Sequence, residues 1–309
     1  MKRALTIGLF AAAAALSGAA EPAPKLPEPR PADELRAMFE SWKAPVPPRK
    51  LVGPIHYVGT MGVSSFLITT PQGHILIDTG FADTLPHVLG AIEQLGFNPG
   101  DIKLLLSSHA HVDHVGGHAE LKRQTGAQVV ASAGDRRILE SGGRDDYFAA
   151  LASPDLAAYE PVKVDRVVGD HERITLGGVT LTAHLTPGHT RGATTWTMEA
   201  KDGDRTYQVV FLSSVSINPG TRLKQKPSYP EIMRDYDQAF VRLKSLPCDI
   251  YFAPHGGQFS MFAKFEKLDQ GAGPEALADK EGWRNAIAVA EFAYRQLLRQ
   301  EEAAIKAAK

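Results

Sequence analysis

Residues 102–117 read Ile102-Lys103-Leu104-Leu105-Leu106-Ser107-Ser108-His109-Ala110-His111-Val112-Asp113-His114-Val115-Gly116-Gly117. The apolar run predicts a buried strand over Lys103–Ser107. Four potential metal ligands follow within six residues: His109, His111, Asp113 and His114. In extended backbone, alternate side chains face the same way, so His109 and His111 can converge on one metal. Asp113 and His114 lie where the chain turns toward a helix and can face a second metal. Gly116-Gly117 lets the backbone turn tightly at that point. Neutral imidazole and carboxylate donors suit Zn²⁺.

Two more histidines occupy similar settings. His189 follows a predicted strand, Thr180–Thr186, in Thr186-Pro187-Gly188-His189-Thr190-Arg191-Gly192. His255 follows another, Asp249–Ala253, in Ala253-Pro254-His255-Gly256-Gly257. Loops at strand ends are where sites are built. Together these residues make two sets of three protein ligands, which leaves metal positions open for water, as catalytic sites require. The other six histidines, His56, His74, His87, His118, His171 and His184, are read as non-ligands. Of these, His74, His87 and His171 look like surface positions, His118 opens a helix and His184 lies inside a strand.

Outward from this centre, the chain from Leu51 alternates short strands with helices. Strands are expected at Ile55–Val58, Ser64–Thr70, His74–Asp78, Gln128–Ala131, Arg173–Leu176, Thr194–Ala200 and Tyr207–Leu212. Helices are expected at about Thr84–Leu95, Gly117–Gln124, Tyr229–Leu246 and Lys280–Lys309, with helix and loop through Gly134–Val164. Two sheets stacked face to face with helices outside would bury both halves around one core. With no internal linker visible, residues 51–309 are expected to form one domain. Residues 21–50 are Pro-rich around a helical patch, Asp33–Trp42. Leu35, Met38, Phe39 and Trp42 fall on one face there and would pack this arm on the body.

Composition narrows the function. The 309 residues carry 34 Lys+Arg against 35 Asp+Glu, a formal charge of −1, which excludes a strongly basic nucleic-acid binder. A single cysteine, Cys248, excludes an intramolecular disulfide and a cysteine-rich zinc ribbon. Residues 1–20 have a basic start (Lys2, Arg3), an apolar run (Leu5–Leu16) and small residues to Ala20, the pattern of a cleavable secretory signal peptide. The expectation is a periplasmic or secreted protein, off the membrane after cleavage, with no protein partner evident.

The motifs together resemble the metallo-β-lactamase superfamily, most closely its subclass B3. The resemblance runs from about Tyr57 to the C-terminal helix. It rests on Tyr57-Val58-Gly59-Thr60, Leu76-Ile77-Asp78-Thr79-Gly80, the Ser108–His114 run, Glu120-Leu121-Lys122 and Pro187-Gly188-His189-Thr190. It implies an αββα sandwich of two stacked mixed β-sheets with helices on the outer faces and the metal site at one edge. It also implies two Zn²⁺: the first held by His109, His111 and His189, the second by Asp113, His114 and His255. Asp78 would support the ligand loop, or serve simply as a turn residue.

Many hydrolases of this superfamily carry a bridging Asp in a Phe-x-Gly-Asp pattern. Here the matching stretch is Phe211-Leu212-Ser213-Ser214, with serine in that place. Serine there, with Ser216 after it, resembles subclass B3, and both hydroxyls are candidates for holding a substrate carboxylate. The implied activity is opening of a β-lactam ring by zinc-bound hydroxide, with Asp113 orienting the nucleophile. Rival readings are another hydrolase of the fold (lactonase, thioesterase or phosphodiesterase) and a non-catalytic metal-binding protein. In one departure from the family pattern, Trp283 stands about where a partner for Cys248 would be. The loop Ile217–Ser228 varies among relatives and leaves substrate preference open.

Overall fold

The computed structural model describes residues 25–308, so the expected leader, residues 1–20, lies outside the described residues. The strands in chain order are β1 (Arg49–Val52), β2 (Ile55–Tyr57), β3 (Phe66–Thr70), β4 (Gly73–Ile77), β5 (Ile102–Leu106), β6 (Gln128–Ser132), β7 (Arg166–Val168), β8 (Arg173–Leu176), β9 (Val179–Leu185), β10 (Thr194–Asp202), β11 (Arg205–Phe211) and β12 (Ile250–Phe252). They form a seven-stranded sheet in the order β1-β2-β3-β4-β5-β6-β7 and a five-stranded sheet in the order β12-β11-β10-β9-β8. Both are mixed. Strands β4 to β7 pair in parallel and β1 to β4 antiparallel, while β11–β12 is the parallel pair of the second sheet.

The central strands are apolar on both faces, and their alternation explains the layers. Leu104 and Leu106 of β5 face the core between the sheets, whereas Leu105 faces the outer layer, joined there by Ile102 across a register shift at the start of the strand. Strand β4 does the same, with Ile75 and Ile77 inward and Leu76 outward. A strand buried on both faces reads as a near-continuous hydrophobic run, and Leu104-Leu105-Leu106 made the strand expected over Lys103–Ser107 legible, although Lys103 itself is exposed. Trp196, Val209, Phe211 and Phe252 complete the inner core from the second sheet.

The helices are α1 (Ala32–Trp42), α2 (Leu85–Gln94), α3 (Val112–Val115), α4 (His118–Thr125), α5 (Ala133–Ser141), α6 (Phe148–Leu151), α7 (Pro154–Ala157), α8 (Ile232–Ser245), α9 (Met261–Asp269) and α10 (Lys280–Ala307). Leu85, Val88 and Ile92 of α2, Leu121 of α4 and Ile138 and Leu139 of α5 cover the seven-stranded sheet. Residues of α8, α9 and α10, among them Phe240, Phe265 and Tyr294, belong to the core of the five-stranded sheet. The result is the expected αββα sandwich.

Several boundaries differ from expectation. Arg49 and Lys50, read as the end of the Pro-rich arm, already belong to β1. The short strand β7 and helix α9 were not anticipated, the first because it offers three residues only, the second because its apolar face is broken by lysines. Helix α8 begins at Ile232 rather than Tyr229. His74 is buried beside Phe97 rather than on the surface, while His171 is exposed as expected.

The arm packs as its spacing indicated. Leu35 and Phe39 are buried against Val63, Phe81 and Leu156, with Met38 and Trp42 partly buried alongside. Its ends are tied down: Arg222 donates to the Pro27 carbonyl (2.9 Å), and the Trp42 carbonyl accepts from Gly62 N–H (3.0 Å) and Thr60 Oγ1 (2.7 Å). Across the molecule, the buried Glu301 of α10 accepts from the N–H groups of Leu223 and Lys224, both at 2.7 Å, and so anchors the 217–228 loop.

Gly116 is required for close approach rather than for an unusual dihedral, since its φ is an ordinary helical −55°. A Cβ there would lie 2.6 Å from the Val112 carbonyl oxygen and 2.7 Å from the Ala82 nitrogen, both backbone atoms. Gly90 in α2 has nothing within 4 Å of such a Cβ. Gly116→Ala is therefore expected to destabilise the protein by about 1–3 kcal/mol. Gly90→Ala should stabilise it by about 0.5–1 kcal/mol. Urea denaturation of the two variants measures the contrast; equal effects would refute the close-approach account.

Candidate metal centre

Strand β5 delivers the ligand loop to one edge of the sandwich. The Ser107 carbonyl accepts from Trp196 Nε1 (3.0 Å), and the Ser108 carbonyl accepts from Thr194 N–H (2.8 Å) and Ser213 Oγ (3.0 Å). These bonds clamp the loop to the second sheet just before His109. Tyr159 OH holds the Ala110 carbonyl at 2.9 Å. His111 then caps the single turn of α3, which carries Asp113 and His114. His189 enters from the β9–β10 turn and His255 from the end of β12.

Two groups of donors result. In each of His109–His111–His189 and Asp113–His114–His255, one ligand atom per residue lies within 4.8 Å of the others. All six side chains expected as ligands are thus brought together, and in the two sets expected. Ring centroids are 4.7 Å apart for His109–His189 and for His111–His189, and 4.2 Å for His109–His114, which links the sets. Asp113 Oδ2 lies 3.0 Å from His114 Nε2 and 3.8 Å from His255 Nε2.

Each imidazole is also held from behind. His189 Nδ1–H donates to the Ser216 carbonyl (2.8 Å) and His255 Nδ1–H to the Gly62 carbonyl (2.9 Å). His111 bonds through Nε2 to Asp146 Oδ2 (2.8 Å) and His114 through Nδ1 to Asp78 Oδ2 (3.0 Å). His109 Nδ1 meets Ser108 Oγ at 3.1 Å, and that hydroxyl donates to Asp78 Oδ2 at 2.6 Å. Oriented this way, each ring keeps its other nitrogen for the centre, the arrangement typical of metal-ligating histidines.

Electrostatics agree with a cation there. Burial, then the neighbouring imidazoles of His114, His189, His111 and His255, pushes His109 well below the ordinary histidine range. Burial and His111 do the same to His189, and burial and His114 lower His255 to about 4. Burial also opposes charge on His114, but Asp113 and then Asp78 outweigh it and raise that group to about 10. Burial would raise Asp113, yet His114 and His255 hold it well below the carboxylate range. His114 Nε2 is buried, and its neighbour Asp113 Oδ2, at 3.0 Å, lies off the direction of a hydrogen bond. The neutral nitrogens of His109, His189 and His255 beside an ionised Asp113 fit a divalent metal such as zinc, whose binding would displace the proton that Asp113 and Asp78 hold on His114.

Asp78 combines a turn with a set of hydrogen bonds to the segment that carries the donors. It turns the chain after β4 with φ of 62°, and its carboxylate accepts from Ser108 N–H (2.7 Å), Ser108 Oγ and His114. Ser214 and Ser216 differ from each other. Ser214 is buried and its Oγ meets Ser216 Oγ at 3.0 Å, whereas Ser216 is exposed and lines the cleft. The 213–214 turn places no carboxylate in the centre. His118 is fully buried and bonds Thr79 Oγ1 at 2.9 Å, propping the loop without joining either set.

Sequence reasoning missed Asp146, the partner of His111, because the Asp145-Asp146 pair lies in a stretch without periodicity. It also missed the walls of the cleft. The cavity, about 350 Å³, is lined by Leu35, Met38, Phe39 and Trp42 of the arm and by Phe148 and Leu151. Trp42 lies 4.5 Å from the His255 ring and Phe148 4.6 Å from the His111 ring. Cys248 is a free thiol, and Trp283 is buried against Tyr251.

Comparison with known proteins agrees with this geometry. The native FEZ-1 metallo-beta-lactamase from Legionella gormanii is 40% identical, covering 84% of this chain and 98% of its own, with a TM-score of 0.80. BJP-1, a subclass B3 metallo-beta-lactamase of Bradyrhizobium japonicum, is 38% identical, covering 86% of this chain and 98% of its own, with a TM-score of 0.79. A hydroxyacylglutathione hydrolase of Rhodospirillum rubrum is 31% identical over 117 residues, 38% of this chain. The chain spans only about a third (35%) of the length of that relative. The family described as the metallo-beta-lactamase superfamily matches residues 58–255, from the residue after β2 through His255. By that match, and by the sandwich and donor sets that accompany it, the chain belongs to the metallo-beta-lactamase superfamily.

Proposed function

We propose that this protein is a zinc-dependent β-lactamase of the subclass B3 type, with two zinc ions held by His109–His111–His189 and Asp113–His114–His255. One observation carries the reading: two complete donor sets share a cleft into which the Ser213-Ser214 turn sends no bridging carboxylate. Zinc in these sets would supply hydroxide at neutral pH, by lowering the pKa of water from 15.7 toward about 7, and would polarise a carbonyl oxygen. The chain's own groups divide the remaining tasks. Asp113, ionised and buried, is placed to orient the nucleophile. Ser216 presents a hydroxyl at the cleft to a substrate carboxylate, and Ser214 orients it. Trp42, Phe39 and Phe148 shield the centre from water and offer apolar surface to substrate side groups. Export directed by residues 1–20 belongs to the same proposal.

A thioesterase reading is favoured by the likeness to the hydroxyacylglutathione hydrolase, and a lactonase would use the same centre. Initial rates on a chromogenic cephalosporin, a lactone and a glutathione thioester separate these readings. The expected result is chelator-sensitive cephalosporin turnover that exceeds the other two by orders of magnitude. Turnover of the thioester or lactone alone would refute the lactamase proposal.

Elemental analysis of holoprotein is expected to approach two zinc per chain, with His189→Ala and His255→Ala each falling toward one. A variant that kept both metal content and turnover would remove its residue from the ligand set.

Ser216→Ala should raise KM for carboxylate-bearing lactams. A hydrogen bond to a charged group is worth about 1.5–3 kcal/mol, equivalent to roughly ten- to a hundredfold. Ser214→Ala removes only a neutral bond behind it, about 0.5–1.5 kcal/mol, or roughly two- to tenfold. Zinc content should be unchanged in both. Loss of zinc from Ser214→Ala would mean that this position is a ligand.

A further inference from the structure

A third cluster of donors lies outside the cleft. Asp170 and His171 occupy the turn between β7 and β8, and His184 lies on β9. One ligand atom from each falls within 4.8 Å of the others, the bound that also holds for both sets in the cleft. The two imidazole rings are 5.4 Å apart and nearly perpendicular, at 87°.

Three further features set this cluster apart from an ordinary polar turn. His184 uses Nε2 on Thr197 Oγ1 (2.9 Å), and its buried Nδ1 has no partner. Buried polar atoms are seldom left so, and this one is the nitrogen free to ligate. His171 has φ of 63°, a conformation that non-glycine residues rarely adopt, and its N–H is fixed on the Ala183 carbonyl at 2.8 Å. Asp170 accepts from Leu185 N–H through Oδ1 (3.1 Å), which orients the carboxylate. Arg242 of α8 then donates to Asp170 Oδ2 and to His171 Nε2. The lone pairs of these two donors therefore already address a cation, carried on a flexible side chain.

We propose that Asp170, His171 and His184 form a third site for a divalent transition-metal ion, in which the Arg242 guanidinium gives way to the metal. Two imidazoles and one carboxylate suit Zn²⁺, Cu²⁺ or Ni²⁺ rather than Ca²⁺ or Mg²⁺. Ligand atoms in a tetrahedral zinc site lie about 3.4 Å apart, so the set must contract, and the exposed Asp170 and His171 side chains can move. The ion would join the β7–β8 turn to β9, the strand that leads through Thr186 to His189. This site is independent of the reaction proposed for the cleft.

Equilibrium dialysis of the holoprotein against rising Zn²⁺, followed by elemental analysis, tests it. One ion per chain beyond the cleft's complement is expected at micromolar Zn²⁺. Arg242→Ala, by removing the competing cation, should tighten that step about tenfold, and His171→Ala should weaken it by at least about tenfold. His184→Ala should do the same; should it fail to fold, His171→Ala carries the test, because His171 lies exposed on a turn. Further uptake by the parent chain or by Arg242→Ala, lost in His171→Ala, upholds the site. No further uptake by either chain, or uptake that His171→Ala leaves unchanged, overturns it and leaves Arg242 as a surface ion-pair partner only.

Discussion

The carboxylate of Asp78 accepts three hydrogen bonds from the ligand segment, and the placement of His109 and His114 depends on them. It takes the Ser108 N–H and hydroxyl on one side and His114 Nδ1–H on the other. Through the Ser108 hydroxyl it reaches His109, which belongs to the first donor set, while His114 belongs to the second. One buried charge at the end of β4 therefore fixes rings in both. Its own position follows from the sheet, because β4 and β5 are neighbours in parallel register and end together. The left-handed turn at Asp78 points the side chain back across that end.

Much of this was legible because it is local. The apolar run Leu104–Leu106 must lie in a strand buried on both faces, and donors at its exit can converge. His189 and His255 were found by the same rule, as the first strong donor residues just past a strand. The fold class followed from alternating elements and from family motifs. What stayed hidden was non-local or weakly patterned. Asp146 meets His111 across 35 residues, and no periodicity surrounds it. Strand β7 has only three residues, and α9 interleaves lysines with its apolar positions. His74 looked like a surface residue because the sequence does not show that Phe97 covers it.

The serines show how far a correspondence by position can go. Ser214 and Ser216 are two residues apart and were equal candidates, but β11 ends at Phe211, and past it the backbone no longer keeps residues two apart on one face. Ser214 faces inward and Ser216 faces the cleft, so one hydroxyl supports the other. The glycine pair makes a similar point. Gly116 is needed because backbone from the 81–82 segment crosses above it, a contact between residues 34 apart that turn propensity does not reveal.

The walls of the cleft have a different origin from its floor. Five of the six donors follow β5 and β12, strands packed on both faces, where a change of shape is felt throughout the sandwich, and His189 follows the half-covered β9. Trp42, Phe39, Phe148 and Ile217 come instead from the arm, a short helix and a loop, all outside the two sheets. Substitutions there alter what the cleft admits while leaving the frame that aims the imidazoles intact. Selection can thus retune selectivity and catalytic competence as separate traits, and variants with a new substrate range need not cross a valley of misfolded intermediates.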